Sequence, residues 1–128
     1  MTQSPDSDKN EIEIDISQKT IGVLGGTGEQ GRGLATRFAL AGLSVIIGSR
    51  TAERANEVAG EIGHSVKGMT NADAAQASDL VIVAVPWDGH KELLESLVIS
   101  LSGKIVVDCV NPLGFDKQGA FRLDVVEG

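Results

Sequence analysis

The stretch that most constrains this chain is Ile21–Ala35, which reads IGVLGGTGEQGRGLA. An apolar run at 21–24 stops at a glycine-rich segment, 25–31. Apolar residues then return at helical spacing, at Leu34, Ala35, Phe38, Ala39 and Leu40. This succession predicts a strand, a tight turn and a helix, in which the periodicity of apolar residues changes from a strand pattern to a helix pattern.

The glycines of this turn match a dinucleotide fingerprint in its required context. Gly26, Gly28 and Gly31 satisfy G-x-G-x-x-G, whereas Gly25 also permits G-x-x-G-x-x-G, and the residues leave both framings open. Either framing keeps side chains away from a pyrophosphate at Gly28 and lets the helix pack closely at Gly31. The N–H groups at the start of the helix would hold the phosphates. The expected binding residues here are Gly26, Thr27, Gly28, Glu29, Gln30 and Gly31.

Strand and helix patterns alternate along the rest of the chain. The strands are expected at 21–25, 44–48, 64–68, 80–85 and 104–108, and the helices at 29–41, 51–59, 70–77 and 89–101. Such alternation predicts an α/β fold with a doubly wound parallel sheet of the Rossmann type, in strand order 3-2-1-4-5. Ligands bind such sheets where the order reverses, so the turns at 25–31 and 86–90 are expected to face one crevice. A short hairpin is expected within 115–126.

Length and charge indicate a single domain and argue against some classes of binding partner. The 128 residues fit one domain, and residues 1–18 are expected to be an acidic flexible tail before a domain at 19–128. The alternating segment 11–16 fits either an edge strand or an unstructured lead-in. The formal charge of −7 argues against nonspecific binding to nucleic acid. The absence of a bilayer-length apolar run argues against a membrane partner.

The residue after the second strand decides the expected nucleotide. NAD-binding sheets usually carry an acid there, but this chain reads Gly-Ser-Arg-Thr at 48–51. Ser49 can donate to a ribose 2′-phosphate, and Arg50 and Arg54 can pair with it, with Thr27 as a further donor. The alternative is that both arginines are solvated surface cations. With the glycine turn upstream, NADP(H) is the favoured cofactor.

Two later turns should lie on the same rim. Val85, Pro86 and Trp87 follow the buried fourth strand and are expected to face the nicotinamide, although they fit equally well as a strand end that covers apolar surface. Asp88 is expected to cap the next helix. Asn111 follows strand five and fits either a ligand contact or a turn role.

Other side chains give no sign of a catalytic group. The single cysteine, Cys109, excludes an internal disulfide, fits a reducing cytoplasmic compartment, and is expected to be buried and inert. His64 and His90 lack metal-ligand spacing. Hydride transfer needs no such residue, because the cofactor carries the chemistry.

Taken together, these segments resemble the NADPH-dependent reductases of coenzyme F420, a 5-deazaflavin. The combination of GGTG, GSR, Gly-Met-x-Asn and Val-Pro-Trp is more specific than the glycine turn alone. The matching segments are IGVLGGTGEQGRGLA (21–35), VIIGSR (45–50), GMTNADAA (68–75), LVIVAVPWDGH (80–90) and GKIVVDCVNPLGFDKQGA (103–120).

The resemblance implies hydride transfer between NADPH and coenzyme F420. It places Thr27, Ser49, Arg50 and Arg54 at the 2′-phosphate. It places Pro86 and Trp87 near the nicotinamide, and residues 68–71 and 111–113 near the deazaflavin or its opening. Family members continue beyond the length of this chain, and their C-terminal portion helps form the deazaflavin pocket and the homodimer. This chain is therefore expected to be a fragment, a truncated product or a partner-dependent module. The alternatives are therefore a reductase of imines or small carbonyl compounds, or a non-catalytic NADP-binding module.

Overall fold

The computed structural model describes residues 15–125, so residues 1–14 of the tail expected at 1–18 lie outside the described part. The first described element is a 3₁₀ helix, Ile16–Gln18. It overlaps the segment 11–16, which was expected to be an edge strand or an unstructured lead-in, only at Ile16. Asp15 caps it by accepting from the N–H and the hydroxyl of Ser17, and these bonds lower the pKa of the Asp15 carboxyl.

Five parallel strands form the sheet, and their order, β3-β2-β1-β4-β5, confirms the predicted topology. They are β1 (Thr20–Leu24), β2 (Ser44–Ser49), β3 (Lys67–Thr70), β4 (Leu80–Val83) and β5 (Ile105–Asp108). The helices are α1 (Glu29–Leu40), α2 (Ala52–Ile62), α3 (Asn71–Ala77), α4 (His90–Ser96) and α5 (Val98–Leu101). A separate antiparallel hairpin joins β6 (Leu113–Asp116) to β7 (Gly119–Arg122).

The core lies on both faces of the sheet because the central strands are buried on both sides. Ile21 and Val23 of β1 pack with α1 and α2 on one face. Leu24 packs with β4 and with α3 on the other face. Burial on both faces explains why β1 and β4 read as continuous apolar runs rather than as alternating patterns.

Three local expectations were wrong. The third strand begins at Lys67 rather than at 64, because His64 and Ser65 take a left-handed turn with φ values of 52° and 64°. The helix expected over 89–101 breaks at Leu97 into α4 and α5. Helix α2 continues through Gly60 and ends at Gly63, which is in the left-handed region at φ 74°. Thr51 does cap α2, as predicted.

The described helices are also too short or too polar to cross a lipid bilayer. The strands β1 and β4 are adjacent at the centre of the sheet, where the strand order reverses. Their carboxyl ends therefore define the crevice in which a ligand of such a sheet is expected.

Candidate functional site

A cavity of about 630 Å³ opens at the carboxyl ends of β1, β2 and β4. The glycine turn forms one wall, and the turn that follows β2 forms another. The third wall is the segment that follows β4 and leads into α4. The cavity as a whole is lined by nine of the site residues that the sequence predicted: Thr27, Gly28, Glu29, Gln30, Ser49, Arg50, Arg54, Val85 and Pro86.

The glycine turn needs its glycines for different reasons. Gly25 has a φ of 73°, and a Cβ atom there would lie 2.6 Å from the carbonyl oxygen of Ala84. A Cβ atom on Gly31 would lie 2.5 Å from the carbonyl oxygen of Gly25, so α1 approaches the turn through a bare backbone. Gly25, Gly28 and Gly31 thus take the three positions of the G-x-x-G-x-x-G framing.

Gly26 is constrained by packing instead of by the cavity. A Cβ atom on Gly26 would lie 2.6 Å from the Cβ atom of Ile47 in β2. The N–H of Gly26 also donates to the carbonyl oxygen of Gly48 at 3.0 Å. Gly26 therefore fixes the turn against the neighbouring strand, whereas Gly25 lines the cavity.

Gly28 presents a free helix end to the cavity. A Cβ atom there would meet only the carbonyl oxygen of Gly25, at an ordinary distance of 3.5 Å. Gly28 is the N-cap of α1 and has no side chain to bond the first-turn N–H groups. Such N–H groups and the positive end of the helix dipole can hold an anion, and the side chain of Glu29 is exposed beside them.

The end of β2, the following turn and the start of α2 bring a hydroxyl and two cations to the same cavity. Ser49 is buried with 8% of its surface exposed, and Arg50 next to it is exposed. Within the described chain, 15–125, Arg50 makes no ion pair, whereas Arg54 pairs with Glu57 at 3.3 Å between the nitrogen and the carboxylate oxygen. Arg50 is therefore the cation that is more available to an anionic ligand.

Asn71 lines the first cavity, although the residues expected from the sequence to bind the nucleotide did not include it. Its side-chain oxygen accepts from the N–H of Gly25 at 3.3 Å, so Asn71 supports the glycine turn in the first cavity. The family resemblance places residues 68–71 near the deazaflavin or its opening. Gly48 leaves room for this contact, because a Cβ atom there would lie 2.7 Å from the Asn71 oxygen.

A second cavity of about 570 Å³ adjoins the first on the side of β5. Trp87, Val110 and Asn111 line it together with side chains of the hairpin. Gln30, Val85, Pro86 and Asp88 line both cavities, so the two spaces meet along this shared rim. Of these two cavities, only the second is lined by Trp87 and Asn111.

Two expectations at this rim were wrong. Asp88 does not cap the next helix, because Gly89 is the N-cap of α4 and takes a left-handed conformation at φ 86°. Cys109 is half-buried rather than buried, and it lines the second cavity. Among the described residues, His, Cys, Asp and Glu form no group of three or more that could hold a metal ion.

Sheet order and the glycine turn together define a Rossmann-type domain, the class whose sheets bind dinucleotides at this crevice. Residues 20–112 match the family described as NADP oxidoreductase coenzyme F420-dependent. The chain belongs to this family.

The relatives agree with this assignment. An F420-dependent NADP reductase of Methanothermobacter thermautotrophicus is 43% identical over 107 residues, which cover 78% of this chain and 46% of that protein. The F420-dependent NADP reductase of Methanothermobacter marburgensis is 45% identical over 100 residues, covering 73% of this chain and 45% of that protein. The chain thus spans about half the length of these curated relatives.

A solved structure extends the likeness to three dimensions. The crystal structure of a candidate F420-dependent NADP reductase from Arthrobacter sp. superposes with a TM-score of 0.71 at 30% identity. The match covers 84% of this chain and 52% of that chain.

Proposed function

We propose that this chain is the nucleotide-binding part of an oxidoreductase that transfers a hydride between NADPH and coenzyme F420. Family membership supports the reaction, and the two adjoining cavities support the way in which the ligands would be arranged. The nucleotide would occupy the first cavity, and the deazaflavin would enter the second.

The adenosine end of NADPH would lie between the glycine turn and the turn after β2. The N–H groups at the start of α1 would hold the pyrophosphate, because Gly28 leaves the helix end open. Ser49, Arg50 and Arg54 would hold the 2′-phosphate, with Thr27 as an additional donor. An acid at position 50 would repel that phosphate, so the arginine favours NADPH over NADH.

The nicotinamide end would lie at the shared rim of Gln30, Val85 and Pro86. NADPH supplies the hydride when it is bound, and the chain contributes binding, orientation and exclusion of water. A planar acceptor in the second cavity would face this rim, with Trp87 and Asn111 in its wall. This arrangement needs no catalytic base from the chain.

The observation that carries the proposal is the continuity of the two cavities along one rim. The test is to titrate the chain with NADPH and then to add oxidised F420 while the deazaflavin absorbance is followed. Saturable NADPH binding and bleaching of that absorbance are expected. Saturable binding without bleaching would leave an NADP-binding module or a reductase of another acceptor, and no saturable binding would refute the nucleotide site.

The homodimer and the cytoplasmic compartment stay predictions from the sequence and the family resemblance. Gel filtration with light scattering measures the dimer directly, at concentrations above and below those used in the titration.

A further inference from the structure

The single tryptophan of the chain, Trp87, stacks on the imidazole of His90. Their ring centroids lie 5.5 Å apart, and the ring planes meet at 20°. This separation falls within the range that aromatic pairs prefer. The backbone closes the same turn, because the N–H of His90 donates to the carbonyl oxygen of Trp87 at 3.1 Å.

The His90 ring is itself held from behind by a carboxylate. Its Nε2 atom lies 2.7 Å from Oδ2 of Asp108, and only 14% of the His90 side chain is exposed. Asp108 is the last residue of β5 and pairs with Val83, the last residue of β4. The tether therefore joins the first residue of α4 to the end of β5.

The same carboxylate also fixes the loop that follows β5. Its other oxygen, Oδ1, accepts from the N–H of Val110 at 2.9 Å. One carboxylate thus contacts both the His90 ring, which stacks on Trp87, and the N–H of Val110 in the loop after β5. Trp87, Val110 and Asn111 all line the second cavity, whereas His90 and Asp108 line neither the first cavity nor the second.

We propose that His90, held by Asp108, is a positioning residue that fixes the Trp87 ring as a wall of the second cavity. The part of this proposal that concerns the deazaflavin rests on the proposed function. The His90 ring acts through Trp87 and does not itself contact the ligand. A planar acceptor would gain a fixed aromatic surface to pack against. The loss of His90 should therefore lower the affinity for the acceptor and leave the affinity for NADPH unchanged.

The tryptophan makes the first part of the test direct, because all tryptophan fluorescence comes from Trp87. His90→Gln removes the stacked ring and keeps a polar side chain near Asp108. In the ligand-free protein we expect acrylamide quenching of the fluorescence to rise by about twofold, since an unstacked ring reaches solvent. Deazaflavin affinity should fall by about fivefold, the factor that an aromatic pair is worth. NADPH affinity should stay within about twofold of the parent, because its expected anchors lie in the other cavity.

Two further variants separate positioning from folding. His90→Phe keeps a ring that can stack but loses the bond to Asp108, so its quenching and its deazaflavin affinity should fall between those of the parent and His90→Gln. His64→Gln is the matched control, because His64 is exposed in the turn before β3. All its measured values should equal those of the parent.

Quenching by acrylamide that is the same in His90→Gln as in the parent would overturn the proposal. Equal losses of NADPH and deazaflavin affinity, together with a lower melting temperature, would also overturn it and assign His90 a role in folding alone. A parent protein that binds NADPH but no deazaflavin would refute the proposed function. In that case the quenching data still decide whether His90 positions Trp87.

Discussion

The side-chain oxygen of Asn71 accepts a hydrogen bond from the backbone N–H of Gly25 at 3.3 Å, across 46 residues of sequence. Asn71 begins α3, and Gly25 begins the glycine turn after β1. Gly48 of β2 makes room for this contact, because a Cβ atom there would lie 2.7 Å from the Asn71 oxygen. The bond therefore ties the glycine turn to the start of α3.

Asn71→Ala should lower the affinities for NADPH and NADH by the same factor. The variant removes one part-buried hydrogen bond, which is worth about fivefold in affinity at typical strength. Both nucleotides need the same turn for the pyrophosphate, so their affinity ratio should not change. Calorimetric titration with each nucleotide measures this, with Asn56→Ala on the exposed side of α2 as the control. A loss confined to NADPH would contradict the role of Asn71 as a support of the turn.

Arg50→Ala should instead change the affinity ratio. Only NADPH carries the 2′-phosphate, and a charge-assisted hydrogen bond to it is worth about 10-fold or more. NADH affinity should stay within about twofold of the parent, because a neutral 2′-hydroxyl does not depend on the cation. Parallel titrations with both nucleotides check this prediction. Arg37→Ala is the matched control, since Arg37 is an exposed arginine of α1 that bonds the carbonyl oxygen of Gly33. Equal losses of both nucleotides in Arg50→Ala would refute the assignment of Arg50.

Glu57→Gln should strengthen NADPH binding modestly. Arg54 pairs with Glu57 at 3.3 Å, and both side chains are at least half exposed, with relative areas of 50% and 61%. Release of Arg54 should raise the affinity for NADPH by about twofold, which is the scale of an exposed ion pair. The control is Glu61→Gln, which removes the same charge from an acid of α2 that pairs with Arg32 at 2.7 Å. If both variants tighten NADPH equally, net charge explains the gain and Arg54 does not.

The strand order was predictable because it depends on the alternation of apolar runs and helical patterns, which span many residues. The local ends were less predictable. The left-handed turn at His64 and Ser65 moves the start of β3, and neither residue type announces a positive φ in the sequence. Asp88 resembles a helix cap, but Gly89 takes that place through its backbone conformation.

In the candidate site too, some residues were predictable from the sequence and others were not. The glycine turn and Arg50 follow directly from short contiguous patterns, so they were named from the sequence, and the structure brings both to one cavity. Asn71 reaches the turn from 46 residues away, and His90 meets Asp108 from 18 residues away. Contacts between residues so far apart depend on strand register, which a single sequence does not specify.

Gly68→Ala and Gly60→Ala should have opposite effects on stability, although both replace a glycine that belongs to or contacts α2. A Cβ atom on Gly68 would lie 2.3 Å from the carbonyl carbon of Ala55, so β3 and α2 would have to separate. We expect the free energy of unfolding to fall by about 3 kcal/mol, the upper range for overpacking against a backbone. Gly60 lies inside α2, and among the described residues nothing is within 4 Å of its added Cβ atom. Gly60→Ala should therefore raise the free energy of unfolding by about 0.5 to 1 kcal/mol through helix propensity. Urea unfolding followed by circular dichroism measures both values, and a stability of Gly68→Ala equal to that of the parent would refute the tight packing of β3 on α2.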